Sequence, residues 1–166
     1  MVIINQSGDF VIPPEFDGGV AAGVFVCGLA RVQKDGRWGF IEKSGRFVIP
    51  PQFDMAYDFS EGMAVVRIAG EEGFINTAGD LVIRPRFSSV HSFSEGRAPA
   101  QIGEMDPWGF LSVAGDFVIE PTFTMVRAFR KGLSLVETQD TLGYIDQQGN
   151  YVWQGPWTEP DPLDLT

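Results

Sequence analysis

The residues of this sequence suited to recognition are few and regularly placed. Tyr57, His91 and Arg127 each stand four residues beyond a recurring phenylalanine, Phe53, Phe87 or Phe123. All three types favour hydrogen bonding or interfaces, and stacked copies of a repeat would set them in a row. The competing reading is ordinary surface variation. Trp38 and Trp108 each open a Trp-Gly-Phe run, and their rings suit either packing or stacking on a ligand. Glu72 holds the same place in another copy. That exchange favours a Trp lying partly buried over a sheet edge, where the stem of a Glu can replace it.

Catalysis finds little support. Glu71 and Glu72 are paired carboxylates, but neighbours on a strand point to opposite faces and cannot flank one bond. No nucleophile motif, phosphate-binding glycine loop or metal-ligand spacing occurs, so no catalytic, cofactor or metal residue is expected. His91 is the sole histidine and Cys27 the sole cysteine, which excludes a His-based metal site and an internal disulfide. Cys27 lies in the apolar run Val24 to Cys27 and reads as a buried small hydrophobe.

Charge narrows the partners. The chain carries 22 acidic and 12 basic residues, a net charge of -10. Arg130-Lys131 is its one adjacent basic pair, and nucleic-acid binding needs clustered cations. Acidity serves solubility or steers a basic partner. The opening "MVIINQSGDFVIPP" has neither a basic segment nor a long apolar core, and no apolar run reaches the length of a membrane helix. The expectation is a cytoplasmic protein without a membrane span.

The elements that must position these residues come from an internal repeat. The turn glycines Gly8, Gly45, Gly79, Gly115 and Gly149 are 37, 34, 36 and 34 residues apart. After them run "GDFVIPPEF", "GRFVIPPQF", "GDLVIRPRF", "GDFVIEPTF" and "GNYVWQGPW". Two more tracks keep the same order. One begins at Phe25, Phe59, Phe93 and Phe129; the other is "WGFI" at 38, "EGFI" at 72, "WGFL" at 108 and "LGYI" at 142. Insertions fall in "DGGVAAGV" and "IGEMDP", both in connections.

Each unit reads as three strands. Met63 to Ile68 alternates small and larger residues, as a strand packed closely on one face does. Asp35-Gly36 is a hairpin signal. The second strand runs from Trp38 to Glu42. The third, Arg46 to Ile49, is expected to stop at Pro50-Pro51 because proline lacks a ladder N–H. Gly39, Gly73, Gly109 and Gly143 recur more strictly than the Trp before them, which predicts close approach of another backbone or of an aromatic ring. The recurring Phe residues at 53, 87 and 123, and at 59, 93 and 129, are the expected core between units.

The fold expected is all-β: four stacked three-stranded meanders with units starting near 28, 62, 96 and 132, no substantial helix, and a partial unit in 1–27. The array is either an open solenoid or a closed, propeller-like ring. One domain spans 1–154, and 155–166 forms an acidic, proline-rich tail.

These units resemble the WG repeat family, whose copies carry a Trp-Gly-aromatic strand, a glycine turn and an "FVIPP-aromatic" strand. Trp38 to Phe53 matches almost throughout, and Trp108 to Leu111 matches as well; Glu72 and Leu142 depart from the Trp. The resemblance covers roughly residues 3 to 157. It implies a bacterial origin and a role in protein interactions, with no shared active site to carry over. The expected function is therefore a non-enzymatic module for a protein partner, contacted by Tyr57, His91, Arg127, Trp38 and Trp108. The alternatives are an acidic inhibitor or immunity-type protein that blocks a basic partner, and a carbohydrate-binding module.

Overall fold

The computed structural model describes residues 3–4, 10–12 and 25–156. Readings that concern Gly8, Phe16, the first insertion and Trp157 with the tail beyond it lie outside the described residues. Among those described, every regular element is a strand.

An N-terminal pair, β1 (Ile3–Ile4) and β2 (Phe10–Ile12), forms a two-stranded sheet. The first full unit contains β3 (Leu29–Lys34), β4 (Arg37–Glu42) and β5 (Phe47–Phe53). The second contains β6 (Met55–Ala56), β7 (Met63–Ile68), β8 (Glu71–Asn76) and β9 (Leu81–Phe87). The third has β10 (Ser89–Val90), β11 (Ala98–Gln101), β12 (Trp108–Leu111) and β13 (Phe117–Phe123). The fourth has β14 (Met125–Val126), β15 (Leu133–Glu137), β16 (Thr141–Asp146) and β17 (Tyr151–Pro156). Each unit is a separate antiparallel sheet in chain order, and none closes into a barrel. The short leading strands β6, β10 and β14 fall where the sequence reads as connection.

Tight turns explain the spacing. Cys27-Gly28, Glu61-Gly62, Glu95-Gly96 and Lys131-Gly132 all have positive φ at both residues. Reciprocal backbone bonds, such as Ser60 with Met63 and Arg130 with Leu133, close them as two-residue hairpins. Cys27 therefore stands at an exposed turn and not in the core. Its position belongs to the hairpin corner, where the other units place Glu or Lys, and the apolar run before it ends one residue earlier.

The third strands do not stop at their prolines. β5 continues through Pro50-Pro51 to Phe53, with Phe40 opposite Ile49 but Trp38 opposite Phe53. Two extra residues bulge out between those pairs, and a bulge is where a strand tolerates proline. The same shift recurs at Arg84-Pro85 and Glu120-Pro121. The bulge explains the invariant glycine. A Cβ on Gly39 would lie 2.6 Å from Ile49 O and 2.7 Å from Pro51 N; on Gly73, 2.5 Å from Ile83 O. In the fourth unit Gly155 replaces the proline, and β17 pairs without that shift, from Trp153 opposite Tyr144 to Pro156 opposite Thr141. The strand therefore takes in residues 155 and 156, the first two of the expected tail.

The core lies between units. One cluster joins Phe40, Ile49 and Phe53 of the first unit to Ala56, Phe59, Ala64 and Val66 of the second. Two further clusters repeat this arrangement down the chain. Ring pairs fix the stacking: Phe40 with Phe59 at 4.8 Å, Phe74 with Phe93 at 4.8 Å, Phe110 with Phe129 at 4.9 Å. The sequence identified the second partner of each pair as core and left the first unassigned.

Candidate interaction clefts between units

The residue four places beyond each recurring Phe follows directly on a two-residue edge strand. Its backbone N–H donates to the adjacent strand of the same sheet: Tyr57 to Val65 O, His91 to Pro99 O, Arg127 to Leu135 O. This constant anchoring turns three otherwise variable side chains outward, and all three are exposed. Tyr57 and His91 line one cleft of roughly 400 Å³. His91 and Arg127 line the next, roughly 650 Å³, together with Met125 and Arg130. His91 is shared, so the three candidates form a run across neighbouring clefts.

The two tryptophans adjoin this run. Arg31 lies between Trp38 and Tyr57, its guanidinium carbon 5.5 Å from the Trp38 ring and 6.0 Å from the Tyr57 ring. Such cation–π contacts add modest attraction at partly exposed sites. Arg31 also donates to Ala56 O at 2.9 Å, and its Nε lies 3.1 Å from the Asp58 carboxylate. That last contact has the distance of an ion pair without hydrogen-bond alignment. Further along, the His91 ring sits 4.9 Å from that of Trp108. Both tryptophans are half-buried.

Glu72 takes the Trp place differently from the sequence reading. It is 2% exposed and buried down to its carboxylate, so more than its stem replaces the ring. Its Oε1 accepts from Arg67 Nη2 at 2.5 Å and Nε at 3.2 Å, and its Oε2 accepts the Val90 backbone N–H at 2.8 Å. A buried carboxylate persists only with partners of this kind. Bonding to Glu72 raises the Arg67 pKa above its ordinary value. Glu71 beside it is exposed, so the two carboxylates diverge.

His91 titrates below the usual histidine range. Desolvation of the ring outweighs the attraction of Glu72, which acts the other way. The residue remains exposed overall; the water it loses is that displaced by the cleft wall and Trp108.

A further depression of roughly 650 Å³ escaped the sequence reading. It lies beside the second insertion and is lined by Glu104, Met105, Asp106 and Asp140, among others. The insertion "IGEMDP" was legible, and the exposure of Met105, at 96%, was not. Among the described residues no group of three or more His, Cys, Asp or Glu is placed to hold a metal, and no helix is long and apolar enough to cross a membrane.

No curated protein matches the chain. The model of the WG containing repeat matches residues 3–38, 38–71, 73–105 and 108–140. Each of the last three matches thus covers a glycine turn, the bulged strand, the hairpin corner and the longer strand after it. The chain belongs to the WG containing repeat family.

Proposed function

We propose that this chain is a non-enzymatic cytoplasmic module that holds a protein partner along the run Trp38, Tyr57, His91, Trp108 and Arg127. The observation that carries the reading is the shared placement of His91 in two successive clefts, with Tyr57 at one end and Arg127 at the other. Residues free of scaffold duty converge there, while the scaffold residues lie beneath. The tryptophan rings already face Arg31 and His91, which favours a protein partner over a sugar stacked on a free ring.

The second reading is an acidic inhibitor that blocks a basic cleft, motivated by the net charge of -10. Arg67 in the first cleft is already paired with Glu72, but the second carries Arg127 and Arg130, which favours a partner offering carboxylates there. The test is affinity capture with the full chain and with a Tyr57→Ala/His91→Ala/Arg127→Ala triple variant of equal melting temperature. A stoichiometric partner retained by the parent and lost by the variant supports the reading. Equal retention by both removes it, and capture that follows overall charge and is abolished by salt favours the inhibitor reading.

A further inference from the structure

The fourth unit leaves open a face that every earlier unit covers. In each sheet one row crosses three adjacent strands: Arg31–Phe40–Ile49, Val65–Phe74–Ile83 and Pro99–Phe110–Ile119. The next unit closes over that row. Phe40, Phe74 and Phe110 are 0% exposed and pair with the following Phe, while Ile49, Ile83 and Ile119 receive the following turn glycine. A Cβ on Gly79, Gly115 or Gly149 would lie 3.1–3.3 Å from that isoleucine.

In the fourth unit the row is Leu135–Tyr144–Trp153. Tyr144 is 44% exposed and Trp153 53%, their ring centroids 6.5 Å apart. Leu133 and Leu142 share the face by strand alternation. Trp153 stands where the isoleucines stand, and its indole lies against Gly155, where a Cβ would come 2.9 Å from the ring. The residue types also change, from Phe and Ile to Tyr and Trp, whose polar tips suit a surface that is covered only part of the time. An open face of a repeat array is normally polar; this one, open among the described residues, is apolar.

We propose that this face binds the same face of a second copy, as a two-fold dimer. Among the described residues the sheet face on the other side of the first full unit, that of Ala30 and Val32, is already covered, 2% and 0% exposed, which leaves a self-complementary contact. Charge agrees. The five central side chains are neutral, so a chain of net charge -10 can approach itself there. Glu137 stands at one end of the face, and Arg130-Lys131 at the other, just before Leu133. A two-fold axis running across the strands sets each copy's Glu137 against the other's basic pair. Asp146 on the same face is engaged by its own turn, through Gln148 and Asn150. Side chains of this size, half exposed, offer on the order of 400 Å² per copy, which places the dimer at the weak end of specific interfaces.

Sedimentation velocity of the full chain from roughly 5 to 500 µM tests this. The expected result is a reversible monomer–dimer equilibrium that Trp153→Glu weakens at least about tenfold. Val118→Glu, at a position 45% exposed in the third unit, should leave it within about twofold. A monomer throughout the range overturns the proposal, as does a dimer indifferent to Trp153→Glu, or growth beyond the dimer. A full chain that stays monomeric and dimerises only after removal of 157–166 also overturns it and assigns the face to that segment. The proposal shares only Arg130 with the clefts: partner capture through Tyr57, His91 and Arg127 can fail while the dimer persists, and the reverse.

Discussion

The Glu61 carboxylate caps the turn that begins at Glu95, one unit further along. Its oxygens accept the backbone N–H of Glu95 at 2.6 Å and of Gly96 at 2.9 Å. Glu95 repeats the act on Lys131 and Gly132 at 2.6 and 2.8 Å. Ser60 and Ser94 add hydroxyl bonds to Phe93 O and Phe129 O, both 2.8 Å. The Ser-Glu-Gly corner is thus a stacking clasp as well as a bend. It ends where Arg130-Lys131 replaces Ser-Glu.

The clasp predicts a modest and position-specific loss. Glu61→Ala or Glu95→Ala should each lower Tm by about 2–4 °C, since charge-assisted bonds near solvent contribute about 1 kcal/mol. Lys131→Ala at the matching corner should change Tm by less than about 1 °C, because no carboxylate is lost there. Thermal melts by circular dichroism decide it; equal losses at all three corners would mean that the clasp is idle.

Gly73 should tolerate substitution far less than Gly36. A Cβ at residue 73 meets backbone at 2.5 Å, whereas at 36 it meets open space and pays only for a φ of +75°. Gly73→Ala should cost about 3 kcal/mol or more, and Gly36→Ala about 1 kcal/mol. Trp38→Leu, which copies the residue at 142, should fall between them at about 2 kcal/mol. Urea denaturation of the three variants ranks them directly, and a Trp38→Leu loss larger than that of Gly73→Ala would reverse the account of the motif.

The buried pair predicts non-additivity. Glu72→Ala leaves the Val90 N–H without its acceptor and should cost about 3 kcal/mol. Arg67, 37% exposed along its side chain, can turn to water, which keeps the loss at the lower end for such pairs. The double variant Arg67→Met/Glu72→Leu also leaves the Val90 N–H without its acceptor but strands no charge, so it should recover about 1 kcal/mol or more of that loss. A double variant as unstable as Glu72→Ala would show that the pair itself, and not its disruption, governs stability.

His91 gives the fold a pH dependence that can be isolated. Its folded pKa lies below the ordinary histidine value, so the unfolded chain binds more protons in that window. Stability should therefore rise with pH through the histidine range and be lost as pH falls through the folded pKa. His91→Gln should flatten the slope of unfolding free energy between roughly pH 5 and pH 7. Being the only histidine, it yields one imidazole titration by NMR, with a midpoint expected below 6.5. A midpoint above that value would contradict the desolvation. The lowered carboxyls of Glu42 and Asp146 act separately, in the acid range, where their stabilisation is lost as pH falls.

Sequence alone was sufficient for the period, the all-β class, the hairpin corners and the priority of glycine over Trp in the motif. These depend on local chemistry: φ > 0 at Gly, alternation in strands, and three tracks of residues in one order. Tertiary structure decided what depends on through-space neighbours. Pro50-Pro51 reads as a stop, yet the strand bulges and continues because Gly39 leaves room for it. Cys27 reads as core, yet the hairpin puts it at a corner. Glu72 reads as a surface stem, yet Arg67 and the Val90 amide make its carboxylate stable inside. Tyr144 and Trp153 are repeat residues by spacing, and only the lack of a covering unit among the described residues leaves them open. A repeat is written in local preferences, whereas a partner is met through whatever surface the stacking leaves uncovered.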